Sequence, residues 1–312
     1  MENLSKINEL TDKLDQNPSD FKIRRELAIE LMESGYNEEA LKQLYYLLKR
    51  FPEDSRLHYN AGIVLENLKK YDKAIISYQN ALNISPEEPD FLYNLGYAYL
   101  QLGEFDKAIP FFKRVLQLEE NDANSYFNLG YLYSKKQEHD LSITCLKAAI
   151  NLNPQDHLAH FYLAYEYDKT GKRELCKQHY EKVIELCADY SWAYFNLGSI
   201  YYEEGENDKA KEFLQKTLDL NPKDDNASVI YSKILAKENR FDEAIMLLKN
   251  ALLNNPYNGD VNYTLAHYYK ETGDQEHYKY HLKEALNSLS WNTKRYNNFF
   301  FLGLAVYFIK SI

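Results

Sequence analysis

The sequence predicts an all-α protein built by stacking helix pairs. Three observations carry this. The 312 residues repeat with a period of 34, in blocks beginning at residues 21, 55, 89, 123, 157, 191, 225 and 259. With places numbered within each block, place 8 is always small: Ala28, Gly62, Gly96, Gly130, Ala164, Gly198, Ser232 and Ala266. Place 32 is usually proline, as at Pro52, Pro86, Pro154, Pro222 and Pro256, with Glu120, Ala188 and Ser290 as exceptions. Length alone would suggest about two globular domains. A short period kept over eight blocks argues instead for one repeat array.

The elements follow in chain order. Residues 1–20, with Ile7, Leu10, Leu14 and Pro18, predict a single leading helix that caps the array. Residues 21–290 hold the eight blocks. In each, apolar or small residues at places 4, 7, 8 and 11 have the i, i+3, i+4, i+7 spacing of an amphipathic helix. A turn follows, marked by Gly or an acid, as in "LGEFD", "TGKRE", "EGEND" and "TGDQE". A second helix runs through places 20, 24 and 27, and proline stops it. Place 20 is small in seven blocks (Ala40, Ala74, Ala108, Ser142, Cys176, Ala210 and Ala244), and large only in the last, at Tyr278. Small residues at places 8 and 20 let paired helices approach closely, and a bulky one would overpack the interface by about 1–3 kcal/mol. Pro110 falls in the first turn or so of its helix, where a missing N–H is tolerated. Tyr278 makes the last block the one expected to be irregular. Residues 291–312 leave the repeat and carry the apolar run Phe299–Ile309.

The spacing Leu95-Gly96, Tyr99, Ala108, Phe112, and that of Ala61-Gly62, Ala74, Tyr78, Ala81, Pro86, resembles the tetratricopeptide repeat. The resemblance covers residues 21 to about 290. It implies a right-handed α–α superhelix of about eight helix–turn–helix repeats. It also implies a concave face, lined by places 2, 5, 9 and 12, that holds an extended peptide or partner segment.

Twenty-nine tyrosines are the outlier in composition. Places 4, 8 and 11 form one stripe of the first helix, and places 2, 5, 9 and 12 another about 100° round. Tyr99, Tyr126, Tyr133, Tyr167, Tyr194, Tyr201 and Tyr269 fall on the first stripe and are expected in the core. Tyr59, Tyr93, Tyr97, Phe127, Tyr131, Phe161, Tyr165, Trp192, Phe195, Tyr202 and Tyr263 fall on the second. Aromatic side chains give large contact area with few rotors to freeze, which suits a binding face. Place 5 also admits a structural reading, in which its rings shield neighbouring helices. Place 9 is aromatic in three successive blocks, at Tyr97, Tyr131 and Tyr165. Asn60, Asn94, Asn128 and Asn196 share place 6, where an amide can bond a peptide backbone or the end of a neighbouring helix. Together these make Tyr59, Tyr93, Asn94, Tyr97, Phe127, Asn128, Tyr131, Phe161, Tyr165, Trp192, Phe195, Asn196 and Tyr202 the candidate partner-binding residues.

Charge and chemistry exclude other classes. A net charge of −10 argues against nucleic-acid binding, which needs a Lys/Arg surplus. Lys22, Arg25 and Arg56 form a locally basic mouth at the N-terminal end of the face. Relatives that grip a C-terminal carboxylate do so with basic residues in the first and third blocks, but here the third offers Asp90, so a chaperone-clamp role is disfavoured. The pair His277 and His281 in "HYKYH" lies one helical turn apart without an evident third ligand, so no metal or cofactor is expected. Cys145, Cys176 and Cys187 form no disulfide or zinc pattern and fit a reducing, cytoplasmic setting. The N-terminus lacks a secretory signal. The 11-residue run Phe299–Ile309 would reach only about 16 Å as a helix, short of a bilayer. It is expected to fold back as a cap. The expected function is a non-catalytic scaffold for a protein or peptide partner. Two alternatives stay open: a regulatory or substrate-presenting subunit of an enzyme such as a glycosyltransferase, and a membrane-associated assembly factor docked by its tail.

Overall fold

The computed structural model describes residues 2–295, with side chains described for residues 4–288. The apolar run Phe299–Ile309 lies outside the described residues, and so does most of the segment 291–312 expected to cap the array. Among the described residues there are seventeen α-helices and no strand. A lone helix, α1 (Glu2–Gln16), comes first. Five helix–turn–helix pairs follow in chain order. They are α2 (Phe21–Glu33) with α3 (Asn37–Arg50), α4 (Ser55–Asn67) with α5 (Tyr71–Ile84), α6 (Pro89–Gln101) with α7 (Phe105–Leu118), α8 (Ala123–Lys135) with α9 (His139–Leu152), and α10 (His157–Lys169) with α11 (Arg173–Leu186). Three more follow: α12 (Ser191–Glu203) with α13 (Asn207–Leu220), α14 (Asp225–Lys237) with α15 (Phe241–Asn254), and α16 (Gly259–Glu271) with α17 (Gln275–Arg295). The fold class is thus all-α, a succession of helix pairs.

The chain divides into two compact units, Met1–Arg173 and Glu174–Ile312. In the first, α1 packs on α2, and its Ile7, Leu10 and Leu14 belong to one core with Leu27, Ala28 and Leu31 of α2 and Leu44 and Leu47 of α3. The second unit has its own core of Leu248, Val261, Leu265 and Tyr268, among others.

Local chemistry sets each helix end. Asp20, Asp54, Asp122, Asp156 and Asp224, with Asn258, sit just before first helices and accept hydrogen bonds from the first free backbone N–H groups. Glu88 makes no such bond, but Pro89 follows it at the first helical turn, where its missing N–H costs nothing. At the other end, place 15 is left-handed in all eight blocks: Gly35, Gly103, Gly171, Gly205 and Gly273, but also Lys69, Gln137 and Asn239. The next residue donates back to the carbonyl five positions earlier, as in Tyr36 to Leu31, Lys70 to Leu65 and Glu138 to Tyr133. This Schellman closure explains the glycines, and it shows three turns formed without one.

The close approach of paired helices is real, but its partner is mainly place 24. A Cβ on Gly62 would lie 2.3 Å from the Tyr78 ring, and one on Gly130 would lie 2.6 Å from Leu146. Place 20 joins the contact through Ser142, whose Oγ donates to the Gly130 carbonyl at 2.8 Å.

The buried face of the first helix also differs from the expected stripe. Place 10 is buried in every block, at Glu30, Val64, Ala98, Leu132, Glu166, Ile200, Ile234 and Tyr268. Place 4 is mixed. At place 11, Tyr133, Tyr167, Tyr201 and Tyr269 are buried as expected and Tyr99 is only half-buried, as are Tyr126 and Tyr194 at place 4. Tyr99 and Tyr194 still lay their rings on Phe111 and Phe213 of the second helix of their pair. In the last pair the face of α17 turns by one residue. His281 is buried and hydrogen-bonds Asn262 at 2.8 Å, while Leu282 and Tyr278 are only half-buried. The bulky Tyr278 is thereby accommodated. No helix among the described residues is long and apolar enough to cross a membrane.

Candidate functional site

Nine of the thirteen candidate residues lie on α4, α6, α8 and α10, within the first unit. Their places have different jobs. At places 5 and 6 the structure shows a ladder between successive first helices. Asn94 Nδ2 donates to the Tyr59 hydroxyl at 3.0 Å, and Asn128 Nδ2 donates to the Tyr93 hydroxyl at 2.9 Å. Tyr59 stacks on Phe91, with ring centroids 4.5 Å apart, and Tyr93 meets Phe112 edge-on at 5.4 Å. Burial, with Asp90 nearby, pushes the Tyr59 hydroxyl up to about 12, and burial raises Tyr93 likewise. Asn128 is only 6% exposed. Asn94 and Asn128 therefore bind successive first helices to one another through tyrosine hydroxyls, and not through a helix end.

The ladder ends by a paired change. Phe127 has no hydroxyl to accept a bond, and Tyr162 stands where Asn would donate one. The two rings meet edge-to-face instead, 5.9 Å apart, and Tyr162 also receives Tyr131 at 5.1 Å and Phe161 at 5.6 Å. Tyr162 was not a candidate from the sequence. Its signal was there: place 6 changes from Asn to an aromatic in the block after place 5 loses its hydroxyl.

Asn128→Ala should cost about 1 kcal/mol of stability by removing one net hydrogen bond, and Tyr93→Phe should cost a similar amount. Because both delete the same bond, the double variant should cost little more than either one. Urea titration followed by circular dichroism checks this, and simple additivity of the two would refute the ladder.

Place 9 differs. Tyr97 and Tyr131 are half-buried and Tyr165 is 38% exposed. None of these three hydroxyls has a partner among the described residues. Burial raises the Tyr97 hydroxyl, assisted by the Glu66 carboxylate. Lys135 Nζ stands 5.1 Å from the Tyr131 ring centre, and Lys169 Nζ stands 5.0 Å from that of Tyr165. Phe127, Phe161, Tyr131 and Tyr165 thus share one face of α8 and α10, with two cations at its edge.

The basic mouth is partly neutralised. Arg25 is ion-paired with Asp54 at 2.7 Å, and Lys22 and Arg56 remain exposed. A cleft of about 290 Å³ opens here, lined by Arg25, Ile29, Arg56, Tyr59, Asn60 and Asp90. It carries both signs of charge.

The other four candidates lie on α12 in the second unit. Trp192 is 56% exposed and meets Phe195 edge-on at 6.5 Å. Asn196 Nδ2 donates to the Trp192 carbonyl at 2.8 Å, within its own helix. Lys237 Nζ lies 4.3 Å from the Tyr202 ring centre. Tyr263 is 51% exposed on α16.

Other chemistry is already engaged. His277 Nδ1 pairs with Asp274 at 2.8 Å, and Tyr269 stacks on both His277 and His281. Burial lowers the His281 imidazole below its usual range. No group of three metal-ligating side chains occurs among the described residues. Burial pushes the Cys145 thiol up to about 11, which disfavours the nucleophilic thiolate.

Comparison with known families decides the identity. Sequence models of the TPR repeat and the tetratricopeptide repeat match residues 2–61, 67–103, 89–122, 123–156, 159–190 and 191–224. The chain belongs to the tetratricopeptide repeat family. No curated protein matches the sequence. The chain resembles the crystal structure of MamA protein at 27% identity and TM-score 0.51, over 55% of this chain and 94% of that one. It resembles YrrB, described as a TPR protein with an unusual peptide-binding site, at 22% identity and TM-score 0.52, over 59% of this chain and 95% of that one. It also resembles the APC/C hetero-tetramer Cut9-Hcn1 at 19% identity and TM-score 0.58, over 85% of this chain and 52% of that one. The latter two likenesses concern the fold alone. As a tetratricopeptide repeat protein, the chain has the architecture of a protein-interaction scaffold.

Proposed function

We propose that this tetratricopeptide repeat protein is a non-catalytic scaffold that holds an extended segment of a protein partner along the first helices of its first unit. One observation carries the reading. The tyrosines of place 5 have their hydroxyls tied to the next helix, whereas Tyr97, Tyr131 and Tyr165 at place 9 do not. Rings with unspent hydroxyls and partial exposure offer a partner both apolar area and a hydrogen bond. Asn60 lines the cleft at the N-terminal mouth, with Tyr59 and Phe91. YrrB has a similar fold and a peptide-binding site, which fits the same use of this architecture.

The test is the triple variant Tyr97→Ala, Tyr131→Ala, Tyr165→Ala. Partner capture from a cell extract, read by mass spectrometry against wild type, should fall at least tenfold while helical content stays unchanged by circular dichroism. Capture at the wild-type level by a folded triple variant would refute this use of the face. By contrast Asn128→Ala, which acts within the ladder, should leave capture largely intact.

A further inference from the structure

We infer that the segment held by α8 and α10 is acidic, with carboxylates about three residues apart. This rests on the scaffold reading above and names the chemistry of the partner. Lys135 and Lys169 occupy place 13 of successive blocks, at the ends of the two helices. Each lies over the tyrosine one turn earlier, at 5.1 Å and 5.0 Å from the ring centre. Both are exposed, and neither has an ion-pair partner among the described residues. The other residues on this face of blocks four and five add little opposing charge. Asn124, Phe127 and Ser134 are uncharged on α8, as are Leu158 and Phe161 on α10. The single acid, Asp168, is held by Arg173 at 2.6 Å. Two unpaired cations therefore stand on an aromatic floor, in a chain whose net charge is −10.

That arrangement suits a carboxylate. A lysine resting on a ring has already lost part of its rotamer freedom, so less is lost when it meets an anion. The ammonium can then make a charge-assisted hydrogen bond. Meanwhile the free hydroxyls of Tyr131 and Tyr165 can donate to the ligand's backbone carbonyls. Neighbouring packed helices lie about 8–10 Å apart. An extended chain advances about 3.3 Å per residue. Successive lysines are thus spanned by about three ligand residues. The preference ends at α6, where Gln101 takes place 13 and the exposed Asp90 takes place 2.

Fluorescence anisotropy with three fluorescein-labelled peptides tests the inference on the full chain. They are four repeats of Glu-Leu-Ser, four repeats of Gln-Leu-Ser, and a peptide of the first composition with its four glutamates contiguous. The spaced glutamate peptide should bind at least tenfold tighter than the glutamine peptide, and tighter than the contiguous one. The advantage should shrink as salt is raised and vanish in the variant Lys135→Gln, Lys169→Gln. Equal binding of the Glu and Gln peptides, or no binding of either, overturns the acidic preference. So does a glutamate advantage that survives in the double variant. Equal binding of the contiguous peptide overturns the spacing. If the triple tyrosine variant still loses capture when glutamate gives no advantage, only this inference falls. If the tyrosine variant keeps capture, the scaffold reading falls with it.

Discussion

His139→Ala should destabilise the chain by about 3 kcal/mol, far more than a partly exposed surface residue ordinarily would. The reason lies in its partner. Glu166 is 0% exposed, on the buried place 10 of α10. Its Oε2 is bonded to His139 Nδ1 at 2.7 Å, and its Oε1 has no hydrogen-bond partner. Removing the imidazole leaves a carboxylate buried without any partner, a loss of about 3–5 kcal/mol for a fully enclosed pair. The lower end applies because the His139 side chain is 36% exposed and water can enter behind it. The reverse change should behave differently. Glu166→Leu leaves a histidine that water can serve and places an apolar residue where other blocks carry Val64, Ala98, Leu132 or Ile200. It should be neutral or stabilising. Urea midpoints for the two variants decide the matter, and equal losses from both would refute the asymmetry.

Gly62→Ala should cost about 2–3 kcal/mol, and the same change at the equivalent glycines should cost less in a set order. The added Cβ would lie 2.3 Å from Cε1 of Tyr78, a side chain with 0% exposure whose hydroxyl is tied to Glu66 at 3.1 Å. The ring has nowhere to go, so this is overpacking against a fixed wall. At Gly130 and Gly198 the Cβ meets Cγ of Leu146 and Leu214 at 2.6 and 2.8 Å. These approaches are longer than the 2.3 Å at Gly62 and meet no rigid ring, so the loss should be smaller. At Gly96 the nearest atom is 3.1 Å away. There the gain in helix propensity, about 1 kcal/mol for Gly→Ala, should offset most of the strain. Thermal denaturation of the four variants should rank Gly62 worst and Gly96 mildest. A Gly96→Ala variant as damaged as Gly62→Ala would show that crowding by the facing side chain is not the cause.

The repeat was legible because a period of 34 is a property of the chain itself. Small residues at place 8 announced a close helix approach, and the glycines at place 15 announced turns. Lys69 and Gln137 adopt the same left-handed turn with no composition signal, since the surrounding hydrogen bonds impose it. The stripe of places 4, 7, 8 and 11 leaves out place 10, where Glu30 and Glu166 are buried. Glu30 is 6% exposed and is met by Lys6 of α1 at 2.7 Å. A helical wheel identifies one apolar side, but a first helix packed on both its pair-mate and its neighbours buries more than one.

The candidate site divides along the same line. That aromatic residues and asparagines recur at places 5, 6 and 9 is written in the sequence. Which of them are spent on the fold is not. Tyr93 and Tyr131 are both tyrosines on one predicted face, four places apart in their blocks. Only packing of α6 on α8 brings Asn128 to the Tyr93 hydroxyl, and only the replacement of Asn by Tyr162 gathers the rings around Tyr131. By itself the sequence determined the helix pairs, their spacing and the places that carry aromatics, because these follow from local periodicity. Tertiary structure alone decided which hydroxyls, amides and carboxylates are already satisfied, because a hydrogen bond between helices depends on distances that periodicity does not contain.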